Sequence, residues 1–500
     1  MSHPELPELG TQDLSGAGHV FKNRRFVSLW TAQLLSQLAS NMVLAGLMAV
    51  VDASTHSATA NAILILTFLV PAVLFSTGAG VVVERTDARL ILLGSNIARA
   101  VGTILFIFVA ADASGANIPL VFGINFLIAI VTAFFAPAEL TAIPRIVERR
   151  HLMAANSVFV LTINATFALG FGFLGPLLLK TTGPVGVYVT VAVMFGLAAA
   201  AILPLPRVPP EPAARRDNAA ERAVRDLVGQ MREGIAFVRS TPRIAWSLTY
   251  LGIAASLIGV MGAVGPTFAR DVLGLSSQDF FFVVGPAGLG AVIGILFLNA
   301  YGGRIPKRLL VDIGLVAMGV TLILLAIVKP LTLLLQPAVG PIQGALPDVL
   351  APVLSLVALV VAVSMTAGVE YAFVAIPSQT ALQEELPPDV RGRIFGILNT
   401  LLSVASFLPV VAAPVAADLL NIAFPGAGLP IVMAILGLAT LAAGWASWRR
   451  NSREGLHGHD APGEADAELP LRVEPPIPAA PAAPATGGRR RRRRPAPDGE

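Results

Sequence analysis

The sequence predicts an all-α membrane protein, with twelve transmembrane helices in two pseudo-symmetric six-helix bundles. Three observations carry that prediction. The chain of 500 residues has a mean hydropathy of +0.74, with 55% apolar and only 13% charged residues, far more apolar than soluble domains of that length. Apolar stretches of ~20 residues, each able to cross ~30 Å of hydrocarbon, recur along it. A short charged loop appears at matching places in the two halves. It reads Gly80-Val-Val-Val-Glu84-Arg85-Thr-Asp87-Ala-Arg89 between the second and third stretches, and Gly302-Gly303-Arg304-Ile-Pro-Lys307-Arg308 between the eighth and ninth. Setting Arg85 against Arg304 also aligns Arg89 with Arg308 and Leu90 with Leu309. Such an echo across half a chain marks an internal repeat of the kind on which transporters are built.

The twelve stretches fall at about 26–51, 60–83, 89–111, 117–139, 153–179, 184–205, 243–268, 280–301, 308–329, 351–376, 392–417 and 428–448. Residues 1–20 are polar, carry no apolar core of signal-peptide length and are expected to be disordered. Residues 21–205 form the first bundle. Residues 206–242 form a cytoplasmic linker that opens with Pro206, Arg207, Pro209, Pro210 and Pro212. From Ala219 to Val238 it sets Val224, Leu227, Val228, Met231, Ile235 and Val238 against Arg222, Arg225, Arg232 and Arg239, the pattern of an amphipathic helix that lies on headgroups or packs under the bundle. Residues 243–448 form the second bundle. Residues 449–500 are Ala/Pro/Glu-rich, end in Arg489 to Arg494 and are expected to be a disordered cytoplasmic tail.

A second echo supports the duplication. Phe135-Ala-Pro137-Ala-Glu139 leads into a polar loop and Asn156-Ser157, and Val374-Ala-Ile-Pro377 leads into Arg391-Gly392-Arg393. The prolines lie 240 residues apart, whereas the charged loops are offset by 219. The difference matches an apolar Pro/Gly-rich insert at 330–350, read as a shallow interfacial hairpin.

Basic residues set the orientation. With both termini in the cytoplasm, all but four of the 35 Lys and Arg lie on the cytoplasmic side. Three (Lys180, Arg270, Lys329) lie outside and Arg99 within a span. That asymmetry predicts a multi-pass protein of the inner or plasma membrane. The formal charge of +4 is this bias plus the Arg-rich tail, so no nucleic-acid partner is expected. Cysteine is absent, which removes disulfides and thiol catalysis. The spans hold no Ser/His/Asp set, paired carboxylates or metal-ligand cluster, and no phosphate-cradling Gly-x-x-x-x-Gly-Lys-Ser/Thr run occurs. Neither an enzyme nor a nucleotide-driven pump is expected, and no cofactor or metal.

The first span carries Gln33, Ser36, Gln37, Ser40 and Asn41 in one stripe. Polar groups at membrane depth face protein or water, so Gln33, Gln37 and Asn41, with Ser364 of the tenth span, are read as walls of a substrate cavity. Glu370 in the tenth span reads as the most deeply placed carboxyl and the carrier of a coupling proton. Arg99, near the middle of the third span, is read as a structural charge with Asn125 or Glu139 as its partner. Asp312, one turn beyond Arg308, fits an i,i+4 ion pair.

These segments resemble the exporter branch of the major facilitator superfamily, which includes macrolide-type and siderophore exporters. The residues carrying the resemblance are Phe21-Lys-Asn-Arg-Arg-Phe26…Trp30-x-x-Gln33, the loop from Gly80 to Arg89, Phe135-Ala-Pro137 with Asn156-Ser157, Glu233-Gly-Ile-Ala-Phe237-x-Arg239-x-x-Pro242, and Arg391-Gly392-Arg393. They cover roughly residues 20–450. The loop differs from the family's Gly-x-x-x-Asp-Arg-x-Gly-x-Arg/Lys in having Glu84 for Asp and Asp87 for Gly. The exporters' Gly-x-x-x-Gly-Pro-x-x-Gly-Gly run in the fifth span is kept only in part, as Gly170, Gly172 and Gly175-Pro176, with Leu179 and Lys180 in place of the last glycines. The resemblance implies a secondary active exporter of small amphipathic molecules (a drug-like compound, macrolide or siderophore). It implies proton-coupled alternating access around a cavity lined by spans one, four, seven and ten. An importer of a small metabolite on the same fold, or a lipid scramblase, are the other readings. Gly80, Glu84, Arg85, Arg89, Arg304, Arg308, Arg391 and Arg393 are expected to form a conformational latch. The expected partners are a small-molecule substrate, protons and membrane lipids, and the expected state is a monomer.

Overall fold

In the computed structural model, residues 20–110, 117–207, 242–334, 356–384 and 391–453 are described, with isolated positions between 229 and 239. The polar start, most of the linker helix, the 330–350 insert beyond residue 334 and the tail after residue 453 lie outside the described residues. So do the side chains of Glu84, Arg391 and Arg393.

The helices are α1 (Arg24–Thr55), α2 (Ala58–Arg85), α3 (Ala88–Ala110), α4 (Ile118–Ala133), α5 (Phe135–Ile146), α6 (Leu152–Leu169), α7 (Gly175–Ile202), α8 (Pro242–Asp271), α9 (Phe281–Tyr301), α10 (Lys307–Ala326), α11 (Leu356–Glu384), α12 (Arg391–Ala423) and α13 (Gly428–Arg453). No strand occurs among the described residues. Among the described residues ten stretches are long and apolar enough to cross a membrane, and Ala58–Ala72 within α2 is a shorter apolar helix. One of the ten, Ala154–Ile202, has 49 residues, or ~73 Å of helix against a ~30 Å core. It is two spans, divided at Gly183, whose φ of 72° a side chain would strain. With α2 the spans number twelve. Thus α4 and α5 make the fourth span, α6 and the start of α7 the fifth, and the rest of α7 the sixth. Helices α8 to α13 are the seventh to twelfth.

Each departure from simple apolar runs has a local cause. The fourth span breaks at Phe134 because Pro137 lacks an N–H and its ring crowds the carbonyl four residues back. In the fifth span a π-turn, Gly170–Leu174, lets the chain approach α1 closely. A Cβ on Gly170 would lie 2.8 Å from that of Asn41, and one on Gly175 2.9 Å from that of Ala45. The retained glycines of that run are therefore packing contacts. Asp87, which stands where the family has Gly, caps α3, its carboxylate accepting from the Arg89 backbone N–H at 2.9 Å. At the chain's start, Asn23 accepts from the N–H groups of Arg25 and Phe26 and donates to the Ile146 carbonyl. Phe21 there packs edge-on against Phe26 and Trp30.

The duplication is visible in the packing. Helix α3 packs along α7 as α10 does along α13, and α2 along α4 as α9 does along α11. The repeated arginines do matching work. Arg89 donates to the Leu203 carbonyl just past α7 at 2.5 Å, and Arg308 to Asn451 of α13 at 3.4 Å. Arg308 also lies 4.9 Å from the centre of the Trp246 ring. Asp312 accepts from Ser447 and Asn451 of α13, at 2.5 and 2.8 Å, so its hydrogen bonds tie two helices together.

One seam breaks the symmetry. Helix α7 lies tight on α1, with Gly46 admitting Val187 and Tyr188 and Ser28 donating to the Ala201 carbonyl. Its counterpart in the second bundle, α8 against α13, is open. Helix α13 is drawn instead onto α10, where Gly319, Gly437 and Gly444 bring the two backbones together. A Cβ on Gly319 would lie 2.6 Å from the Leu441 nitrogen.

Candidate functional site

The two ends of the helix bundle differ in chemistry. One holds Arg24, Arg85, Arg89, Arg308 and Arg450 and is called the basic end here; the other, where α1 and α8 finish, is called the distal end. Hydrogen bonds and ion pairs join the two bundles at the distal end.

The centre of this closure is Asp52, which is wholly buried in the last turn of α1. It accepts from Thr267 at 2.6 Å, Ser277 at 2.6 Å and the Arg270 guanidinium at 2.5 Å. Arg270 also donates to the carbonyls of Asp52 and His56, each at 3.3 Å. A buried carboxylate needs this many donors to offset its lost hydration. A second joint forms where Asp418 of α12 meets the start of α2. Its carboxylate accepts from the Ser57 hydroxyl at 2.6 Å and from the N–H groups of Thr59 and Ala58 at 2.8 and 3.2 Å. Negative charge there is favoured by the helix N-terminus. A third link is Lys180 to Asp279, at 2.7 Å. Beneath these, Phe171 packs against Phe280, and Gly172 and Gly285 let the fifth span and α9 touch.

At the basic end the partners of Arg89, Arg308 and Lys307 belong to their own bundles. Arg89 and Arg308 anchor as above, and Lys307 pairs with Glu384. Arg85 and Arg304 are exposed, and Gly80 has open space beside it. The structure therefore brings together two of the expected latch arginines with partners of their own bundles, and places the others at the same end.

The expected cavity residues divide. Gln33 is fully buried with both amide atoms unpartnered, and Ser364 is buried with its hydroxyl unpartnered. Gln37 and Asn41 are half-buried. Ser36 of the same stripe donates to Asn96 of α3, so part of the stripe holds helices together. Glu370 accepts from Thr321 of α10 at 2.8 Å, leaving its second carboxylate oxygen unpartnered. It is not the deepest carboxyl: Asp52 and Glu139 are both more buried, because each sits where helices cross. Asn125 donates to Thr67, so the charge acting on Arg99 is that of Glu139. The Arg99 guanidinium lies 4.5 Å from the Phe135 ring centre and 5.7 Å from that of Phe195, a cation–π cradle.

The model of the Major Facilitator Superfamily matches residues 29–410. The chain belongs to that superfamily. An uncharacterized superfamily transporter of Bacillus subtilis, YkuC, is 27% identical over 296 residues, which is 58% of this chain and 66% of the relative. Macrolide efflux protein A of Streptococcus pyogenes is 20% identical over 407 residues, 80% of this chain and 90% of the relative. Among solved structures, a bacterial homolog of the human lysosomal transporter Spinster, inward-facing and unoccupied, superposes with a TM-score of 0.61 at 16% identity. It covers 88% of this chain and all of its own. The nucleoside transporter NupG superposes at 0.60 with 13% identity, over 85% and 98%. At these identities the solved structures fix the facilitator fold alone. As a facilitator the chain is a membrane transporter and not an enzyme.

Proposed function

We propose that this facilitator is a proton-coupled exporter of small amphipathic molecules that works by alternating access as a monomer, with its basic end and both termini in the cytoplasm. The observation that carries this reading is the closure at the distal end, where Asp52 and Asp418 join the two bundles through polar links. With the basic end inside, this is the state that takes substrate from the cytoplasm or the inner leaflet. Gln33, Gln37, Asn41 and Ser364 offer uncharged donors and acceptors to that substrate. The buried, unpartnered atoms of Gln33 and Ser364 support this role, since such groups are costly until a ligand or water meets them. Glu370, with one oxygen free, carries the proton. In the opposite state the loop from Gly80 to Arg89 closes against Arg391 and Arg393, while Arg304 and Arg308 serve the matching loop.

Transport of a fluorescent amphipathic cation into everted vesicles tests the whole reading. Uptake driven by an imposed inside-acid gradient, and collapsed by a protonophore, is the expected result. Uptake into right-side-out vesicles alone would overturn export, and gradient-independent flux would overturn coupling.

A further inference from the structure

The open seam between α8 and α13 holds a cleft of about 520 Å³, within the size range of small-molecule sites. Its walls come from one face each of α8 (Leu248 to Leu257), α12 (Leu401 to Pro409) and α13 (Leu436 to Ala443). Small residues hollow it out, among them Gly252, Ser256, Ala405, Ala439 and Ala443. Thr249, Ala405 and Ala439 are exposed, so the cleft opens on the flank of the bundle. It starts ~10 Å along α8 from the basic end and runs for about 13 Å, through the depth that hydrocarbon occupies.

The chemistry of the wall restricts the occupant. Three hydroxyls line the cleft, and each is already spent on its own helix. Thr249 donates to the Ala245 carbonyl at 2.7 Å, Ser256 to that of Gly252 at 2.7 Å and Thr440 to that of Leu436 at 2.8 Å. Among the described residues the wall has no hydrogen-bond donor left for a polar solute and is otherwise apolar, which suits a hydrocarbon chain. The basic end adds charge. Arg450 follows Ala443 by seven residues, two turns along the same face of α13, or ~10 Å. Arg450 and Arg453 are exposed there. Nearby, Trp445 is exposed beneath Arg449, 4.9 Å from ring centre to guanidinium, which marks the level of the headgroups.

We propose that this cleft binds one acyl chain of an anionic phospholipid, with the lipid phosphate held by Arg450 and Arg453. The lipid completes the second bundle by filling the seam that α7 fills in the first. This site is separate from the transport reading above, and it stands or falls without it. Purified full-length protein in detergent is to be tested with phosphatidylglycerol and phosphatidylcholine, by native mass spectrometry and by thermal unfolding. Phosphatidylglycerol with long chains is expected to be retained and to raise the unfolding midpoint more than phosphatidylcholine does. Its short-chain homologue is expected to give no rise. The filled variant Ser256→Leu/Ala443→Leu should lose retention and the rise together, and Arg450→Ala/Arg453→Ala should lose only the preference for the anionic headgroup. Retention in the filled variant equal to that of the parent overturns the site. Should that variant not fold, equal stabilisation of the parent by short and long chains overturns it instead, as does a parent that retains no lipid.

Discussion

Asp52 and Arg270, 218 residues apart in the chain, meet at 2.5 Å across the two bundles, and the carboxylate they share with Thr267 and Ser277 has no exposure to solvent. The closed distal end is held by this group more than by any other. Asp52→Asn removes the ion pair and keeps the hydroxyl partners. The loss is roughly 1–3 kcal/mol, discounted because Arg270 reaches the surface, which moves the equilibrium between open states about five- to 150-fold. A cysteine introduced at Val284, in a chain with none of its own, should become labelled faster from the distal side. No change in labelling would show that the pair is not what holds the closure.

Asp418→Ala removes the carboxylate that accepts from the Ser57 hydroxyl and from two backbone N–H groups at the start of α2, a loss of ~0.5–2 kcal/mol by the scale of helix caps. Since Ser57 shares the joint, Ser57→Ala should be non-additive with it in a double-mutant cycle of unfolding free energies. Strict additivity would mean that the two side chains act separately.

Arg99→Ala leaves Glu139 buried without its compensating charge and empties the space between Phe135 and Phe195. A loss of ~1–3 kcal/mol is expected from the lost ring contacts and the emptied space, seen as a lower yield and unfolding midpoint. The paired Arg99→Leu/Glu139→Leu change should recover most of it, because no lone charge remains. If Arg99→Ala folds like the parent and fails only in substrate binding, the structural role is wrong.

Glu370→Gln should keep the hydrogen bond with Thr321 and abolish the dependence of transport on the proton gradient, while counterflow exchange of substrate persists. Gradient-driven transport at the parental rate would move the coupling proton to another carboxyl, with Glu139 the first to examine.

Glu84→Ala should raise the accessibility of the basic end in labelling with a single introduced cysteine and slow cycling. Substrate affinity in a state-locked protein is expected to change little. Each contact of the loop is worth only ~0.3–1 kcal/mol, enough to bias two states of similar energy.

The spans were legible because each is a long apolar run bounded by charged or Gly/Pro loops, and the repeat because Arg89 and Arg308 do the same work in both halves. Asp87 looked like a departure from a motif, and the cap that it makes needs only its neighbours, so the reason was within reach of the sequence. Asp52 and Asp418 were not legible. Each lies in the last turns of an apolar run, where an acid reads as interfacial, and their partners are more than 200 residues away with no periodicity to link them. The depth of Glu139 was hidden for a related reason. Burial in a bundle follows from which helices cross at a residue, not from its distance to the end of a span. Gly319, Gly437 and Gly444 announce close contact but not with whom, so the displaced α13 could not be foreseen.

Asp418 holds the start of α2 mostly by backbone: two of its three partners are N–H groups that every residue but proline presents. Substitution along that turn of α2 therefore has little power over the joint, whereas a change at position 418 alone removes it. Natural variation in the strength of this joint should accordingly concentrate on the α12 side. A lineage adapting to a new cargo can tune this joint at one position, without disturbing the walls that contact the cargo.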